Sequence, residues 1–210
     1  MKSDYLHFLE NAHGVIHVGA NKGQEREIYN SHGLNVLWIE PIQEIFDDLI
    51  ENIQYYPNQK ALRYLITDKN NEEYNFFIAN NHGASSSIFD FGLHTAIWPH
   101  VHFSSSRKLK SITLTTMLEN EGININQYDA LIMDTQGSEL LVLQGAANII
   151  NNFSYILTEV ADFEAYIGCC QEMDITAFME TMGFIELERQ IQKTKPEIGS
   201  YYNILYKRIG

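Results

Sequence analysis

Val15-Ile16-His17-Val18-Gly19-Ala20-Asn21-Lys22-Gly23-Gln24-Glu25 decides the fold. A short β-branched run stops at a glycine, a second glycine follows four residues later, and polar helix formers come next. This is the pattern of a buried strand, a tight turn and a helix N-terminus, the first unit of an open α/β sheet. Gly19 lets the backbone approach a ligand with no Cβ in the way, and Gly23 permits close strand–helix packing or a positive φ. N–H groups left over at the helix start favour a carboxylate or phosphate. The same turn also occurs for structural reasons alone, so the ligand has to be argued from the rest of the chain.

Outward from this unit the alternation continues. Leu6, Phe8 and Leu9 belong to a short opening helix that covers one sheet edge, and Gln24 to Ser31 is the first crossover helix. Asn35 to Ile39 is a second apolar strand; it ends on Glu40-Pro41, and proline suits the first turn of a helix. That helix carries Ile42, Ile45, Phe46, Leu49, Ile50 and Ile53 at the spacing of an apolar stripe. Ala61 to Ile66 and Tyr74 to Ala79 are strand-like and flank a turn at Thr67 to Asn71. From Asn80 to Arg107 the periodicity fails, which predicts an irregular insertion and a candidate acceptor lid. Leu109 to Leu114 restores a strand, followed by a helix over Thr116 to Glu121. Asp129 to Met133 is a buried strand ending on Asp134, and the helix Ser138 to Asn151 follows. Tyr155 to Thr158 ends on Glu159, a helix covers Asp174 to Met182, and Phe184 to Glu188 with Tyr201 to Tyr206 reads as a hairpin with an antiparallel last strand. The expected class is α/β, a single domain over residues 1–210 with helices on both faces of a parallel sheet.

At 210 residues, 45% hydrophobic and 20% charged, the composition is that of a globular domain. A net charge of -13 repels phosphates, so neither nucleic acid nor an anionic membrane is the expected partner. Cys169 and Cys170 are adjacent and make neither a disulfide framework nor a metal knuckle. Met1 to Glu10 lacks a basic segment leading into an apolar core, and no run of 18 apolar residues occurs; the expected compartment is the cytoplasm. No metal site is expected, because the histidines form no pair with an acid beside it on one helix face. The absence of Gly-x-Ser-x-Gly and of Gly-x-x-x-x-Gly-Lys-Ser/Thr sets aside common hydrolases and nucleotide triphosphatases.

Ligands of open α/β sheets bind beyond the carboxyl ends of the strands, which leaves the Gly19 turn, Glu40, Asp68, Asp134 and Glu159 as candidates. Glu40, 21 residues after Gly19, stands where a carboxylate accepts the two hydroxyls of a ribose, or it simply favours the dipole of the next helix. Asp68 is placed to meet an adenine amino group or is a solvated turn residue. Asp134 follows a buried strand and must find partners or titrate upward. It is a candidate general base, hydroxyl positioner or metal ligand, or else a cap on the amides of Gln136 to Ser138. The 80–107 segment offers Phe89, Phe91, Trp98 and Phe103 as apolar faces, and Ser85 to Ser87, His94, His100 and His102 as hydrogen-bonding groups.

Three motifs carry a resemblance. Ile16 to Gly23 resembles the Asp-x-Gly-Ala-Asn-x-Gly segment of FkbM-type S-adenosylmethionine-dependent methyltransferases, with His17 where that family has an acid. Ile39-Glu40-Pro41 is the second. Met133-Asp134-Thr135-Gln136-Gly137-Ser138-Glu139 is the third and most specific, similar to the family's Asp-x-Glu/Gln-Gly-x-Glu. The resemblance spans residues 14 to 206. It implies a Rossmann-like, seven-stranded class I methyltransferase sheet that binds S-adenosyl-L-methionine, with the methionine portion near Gly19 and the ribose at Glu40. The cofactor residues it implies are His17, Gly19, Asn21, Gly23, Glu40, Asp68 and Gln136; His17 removes an acid near the cofactor's ammonium group. Asp134 and Glu159 become the catalytic candidates, and Ser86, Ser87, His94, Trp98 and His100 the acceptor-binding ones. O-methylation of a sugar, glycan or small natural product is the implied activity, with a homodimer permitted. A non-catalytic binding module of the same fold is the first alternative. A nicotinamide-dependent oxidoreductase is the second, although the middle glycine of its usual turn is missing.

Overall fold

The computed structural model describes residues 3–209. In chain order its strands are β1 Gly14–Val18, β2 Asn35–Ile39, β3 Gln59–Leu62, β4 Leu65–Ile66, β5 Glu73–Ala79, β6 Phe103–Ile112, β7 Ala130–Met133, β8 Tyr155–Ala161, β9 Phe184–Lys195 and β10 Gly199–Arg208. The α-helices are α1 Arg26–Ser31, α2 Gln43–Ile53, α3 His94–Ile97, α4 Leu114–Asn120, α5 Glu139–Gly145 and α6 Glu172–Thr181, with an opening 3-10 helix at Ser3–Asn11.

Seven strands form one sheet in the order β3-β2-β1-β7-β8-β10-β9. From β3 to β8 neighbours are parallel, and β10 is antiparallel to both β8 and β9, as the expected class requires. All five residues of β1 are buried, because helices cover both faces. Alternate residues serve opposite cores. Ile16, Leu37, Leu131 and Ile156 pack with α4, α5 and α6 on one side. Val15, Trp38, Ile132 and Leu157 pack with Leu6, Phe8, Tyr29 and Leu49 on the other. The chain winds outward from β1 through β2 to β3, then returns to place β7 on the other side of β1. This reversal opens a crevice at the carboxyl ends of β1 and β7.

Several local expectations need correcting. Ala61 to Ile66 is two strands: β3 ends at Leu62, and β4 leaves for a second sheet of order β4-β6-β5. The 80–107 segment is not irregular throughout. Its last residues belong to β6, where Ser104 to Lys108 are exposed on both faces and so carry no hydrophobic period. His94–Ile97 is helical, and Ile97 packs with Phe163, Ala165, Tyr166 and Tyr201 in a small core of its own. Helix α5 stops at Gly145 rather than Asn151, where the bare Cα passes the Thr67 carbonyl; an added Cβ would sit 2.2 Å from that oxygen. Among the described residues no helix is long and apolar enough to cross a membrane.

Candidate active site

The turn after β1 is set by Gly19, whose φ of +81° is unfavourable for any side chain. A Cβ there would lie 2.0 Å from the Asp134 carbonyl oxygen. Gly19→Ala should therefore cost about 3 kcal/mol of stability, the sum of backbone strain and a displaced β7 exit, read by chemical denaturation. The amides of the turn itself are engaged, while the helix that follows begins only at Arg26. Gly19 and Ala20 both donate to the Ile39 carbonyl, Asn21 to Glu40, Lys22 to its neighbour's Oδ1 and Gly23 to the Ala20 carbonyl. Gly23 serves packing: its missing Cβ would press on Leu49 of α2 at 2.7 Å.

Above this turn a cleft of about 790 Å³ opens to solvent. His17, Gly19, Asn21, Glu40, Asp134 and Gln136, all named from the sequence, line it, together with Glu25, Ile42, Leu65, Phe76 and Ser86. Asp68 and Gly23 do not. Asp68 lies beyond the wall made by Tyr64, Leu65 and Ile66, and its Oδ1 is buried with no partner among the described residues.

Glu40 is buried, its Oε2 accepting the Asn21 N–H at 3.0 Å and its Oε1 the Ile42 N–H at 2.9 Å. Desolvation outweighs those bonds and raises its pKa to about 7. His17 is buried against Trp38, ring centroids 5.1 Å apart, with Nδ1 3.1 Å from the Tyr29 hydroxyl. Burial lowers its pKa to about 3, so it stands in the cleft as a neutral imidazole and adds no cation.

The turn after β7 divides its two acids between tasks. Glu139, not Asp134, takes the turn's amides: its carboxylate accepts the Thr135 N–H at 2.8 Å and the Gly137 N–H at 2.9 Å, and desolvation raises its pKa to about 7. Asp134 is left open to the cleft, with the Gln136 side-chain amide donating to its Oδ1. Its pKa is raised, chiefly by desolvation. Gln136 holds a left-handed φ of +55°, a conformation that costs a non-glycine residue about 1 kcal/mol or more. Ser87 Oγ donating to its carbonyl at 2.7 Å and Tyr166 donating to its Oε1 at 2.6 Å keep it there. Glu159 does not end its strand as expected but lies inside β8, which continues to Ala161; its pKa is raised well above the ordinary range by desolvation, then by Asp134 and Glu139.

The five acceptor-binding candidates are not brought together. Ser86 reaches the cleft, but its Oγ accepts the Ala79 N–H at 3.0 Å. Ser87 is committed to Gln136, and both ring nitrogens of His94 are engaged, Nδ1 with the Tyr201 hydroxyl at 2.6 Å and Nε2 with Ser85 Oγ at 3.0 Å. Trp98 lies outside under the Lys193 ammonium, 5.4 Å from the ring centroid, and His100 is exposed. Phe91 is stacked on Phe103 at 3.8 Å. Four residues at the site were not among the candidates: Glu25, Glu139, Tyr166 and Asn203. Glu25 stood inside the opening stretch and Glu139 inside the third motif; nothing in the sequence pointed to Tyr166 or Asn203. Among the described residues no group of three or more His, Cys, Asp or Glu side chains is arranged to hold a metal ion.

A crevice at the sheet's reversal point, a ribose-type acid after β2 and a strand order with an antiparallel β10 define the class I S-adenosylmethionine-dependent methyltransferase fold. Residues 17–186 match the family described as Methyltransferase FkbM domain, and the chain belongs to that family. Its cofactor is S-adenosylmethionine. Among solved structures the chain is similar to M. capricolum TrmK in complex with S-adenosyl-homocysteine, at 9% identity and a TM-score of 0.55, covering 99% of this chain and 69% of that one. It is similar to magnesium protoporphyrin IX methyltransferase (ChlM) from Synechocystis PCC 6803 with bound SAM, at 11% identity and a TM-score of 0.51, covering 93% and 69%. Streptococcus pneumoniae Sp1610 in complex with S-adenosyl-L-methionine gives 9% identity, a TM-score of 0.53 and coverage of 100% and 75%. At these identities the likeness is one of fold. No curated protein matches the chain.

Proposed function

We propose that this methyltransferase acts on a hydroxyl oxygen, of a sugar, glycan or small polyhydroxylated molecule, with Asp134 as the general base. The cleft suits the cofactor. Glu40 offers a buried carboxylate at the β2 end, Ile42, Leu65 and Phe76 an apolar wall, and the neutral His17 beside Glu25 a surface without positive charge. When bound, S-adenosylmethionine supplies an electrophilic methyl group on a sulfonium, and the bond to sulfur breaks with its electron pair to leave neutral S-adenosylhomocysteine. The chain's own task is to position the acceptor and take the proton its hydroxyl loses.

The single observation that carries this reading is the division of labour after β7. Glu139 satisfies the turn, so the Asp134 carboxylate keeps lone pairs facing the cleft. An amine acceptor needs that base less than a hydroxyl does. The test is transfer of labelled methyl from S-adenosylmethionine to a panel of neutral sugars and glycans, with small amines as the contrasting set. Transfer confined to amines would overturn the choice of oxygen. A pH profile adds a second check. Asp134 must be ionised to act, and its pKa is raised, so kcat/KM should climb with pH through a value above the ordinary carboxylate range and then level off.

A further inference from the structure

A second cavity lies on the opening-helix side of the same strand ends. It opens to solvent and is bounded by Leu6, Leu157, Glu159 and Asn203. His17, Glu25 and Asp134 line both this cavity and the cofactor cleft, so the two join at the strand ends. The antiparallel register places Asn203 of β10 directly opposite Glu159 of β8. Asn203 is only 9% exposed, and its side-chain amide has no hydrogen-bond partner among the described residues. Its amide therefore faces the cavity, free to bond to whatever enters it.

The chemistry of the lining is specific. A carboxamide presents a donor and an acceptor side by side, and a carboxyl group accepts and, when protonated, also donates. Set between the aliphatic faces of Leu6 and Leu157, they match a molecule that carries neighbouring hydroxyls on an apolar C–H frame. The opposite side of the site has little left to offer, since Ser87 and His94 are already bonded and Phe91 is already stacked. We propose that this cavity, and not the 80–107 segment, receives the acceptor. Asn203 and Glu159 select a polyhydroxylated molecule, whose reacting hydroxyl lies at Asp134. This inference rests on the methyl-transfer reading above.

The probes are methyl α-D-glucopyranoside and myo-inositol, titrated into isotope-labelled protein with and without saturating S-adenosylhomocysteine and followed by nuclear magnetic resonance. Shifts are expected at Leu6, Leu157, Gln192 and Asn203. Asn203→Leu, and independently Gln192→Trp at the exposed rim of the cavity, should each weaken the probe about tenfold or more and leave S-adenosylhomocysteine affinity within about twofold. Asn203→Leu should also melt no lower than the wild type, an outcome that a purely structural amide would not give. Shifts confined to Phe89 through Trp98, no shift with either probe, or full probe affinity in both variants would overturn the proposal. Failure of S-adenosylhomocysteine to bind the wild type would instead strike the cofactor reading, while the titrations made without it still report on the cavity.

Discussion

Asp134→Asn is expected to lower turnover by about 10²–10⁴-fold, the usual range for a lost general base. Cofactor affinity should move no more than a few-fold, because the Asn side-chain oxygen can still accept from Gln136 and the turn itself is held by Glu139. Stability should hold or rise, since the variant removes a carboxylate whose ionised form is penalised by desolvation. Steady-state kinetics, calorimetry with S-adenosylhomocysteine and thermal melting read the three effects separately. The rising limb of the pH profile should vanish in the variant. Full activity would mean that the site works by positioning alone, whereas loss of fold would return Asp134 to a structural role.

Glu40→Ala is expected to weaken S-adenosylhomocysteine by about 2–4 kcal/mol, the loss of up to two charge-assisted bonds to ribose hydroxyls. The carboxylate also clamps the Asn21 and Ile42 amides, so part of the loss would come from a loosened cleft rim. The pH dependence separates the two contributions. With a folded pKa of about 7, Glu40 is ionised above that pH and protonated below it, so wild-type affinity should be full above pH 7 and fall as the pH drops through it. Glu40→Ala should be weak and flat across the same range. Equal calorimetric affinity in wild type and variant would leave the carboxylate as an amide clamp and nothing more.

The parts of the molecule legible in the sequence are those where burial leaves a pattern. β1, β2, β7 and β8 are covered on both faces, and their apolar runs end on the turn and acids that line the cleft. Glu40 was placed by its distance from Gly19, and Asp134 by the strand leading into it. Only the end of β6 was read, from Leu109 on; its start was missed because Ser104 to Lys108 are exposed on both faces, with no hydrophobic contrast to mark a strand. The closure of the turn after β1 was hidden for a different reason: Asn21 adopts a φ of +44° and the turn folds back onto the Ile39 carbonyl and Glu40. Asn203 was out of reach because its place opposite Glu159 depends on the register between β10 and β8, strands far apart in sequence, and a shift of one residue would have turned it to the other face.

The position of β10 has a consequence for how the protein is made. Synthesis delivers β9 before β10, yet β10 must enter between β8 and β9. Until it does, β8 presents an open edge to whatever else is nearby, and the long strand β9, with Ile185, Leu187 and Ile191 exposed, has no mate. A ribosome-bound chain at this stage already has the β1 turn and Asp134 in place. It is nevertheless a molecule with a sticky flank, a state in which unpaired edges invite aggregation. Stalling between β9 and β10 is therefore the interval in which a holding chaperone would do most to protect the yield of folded protein.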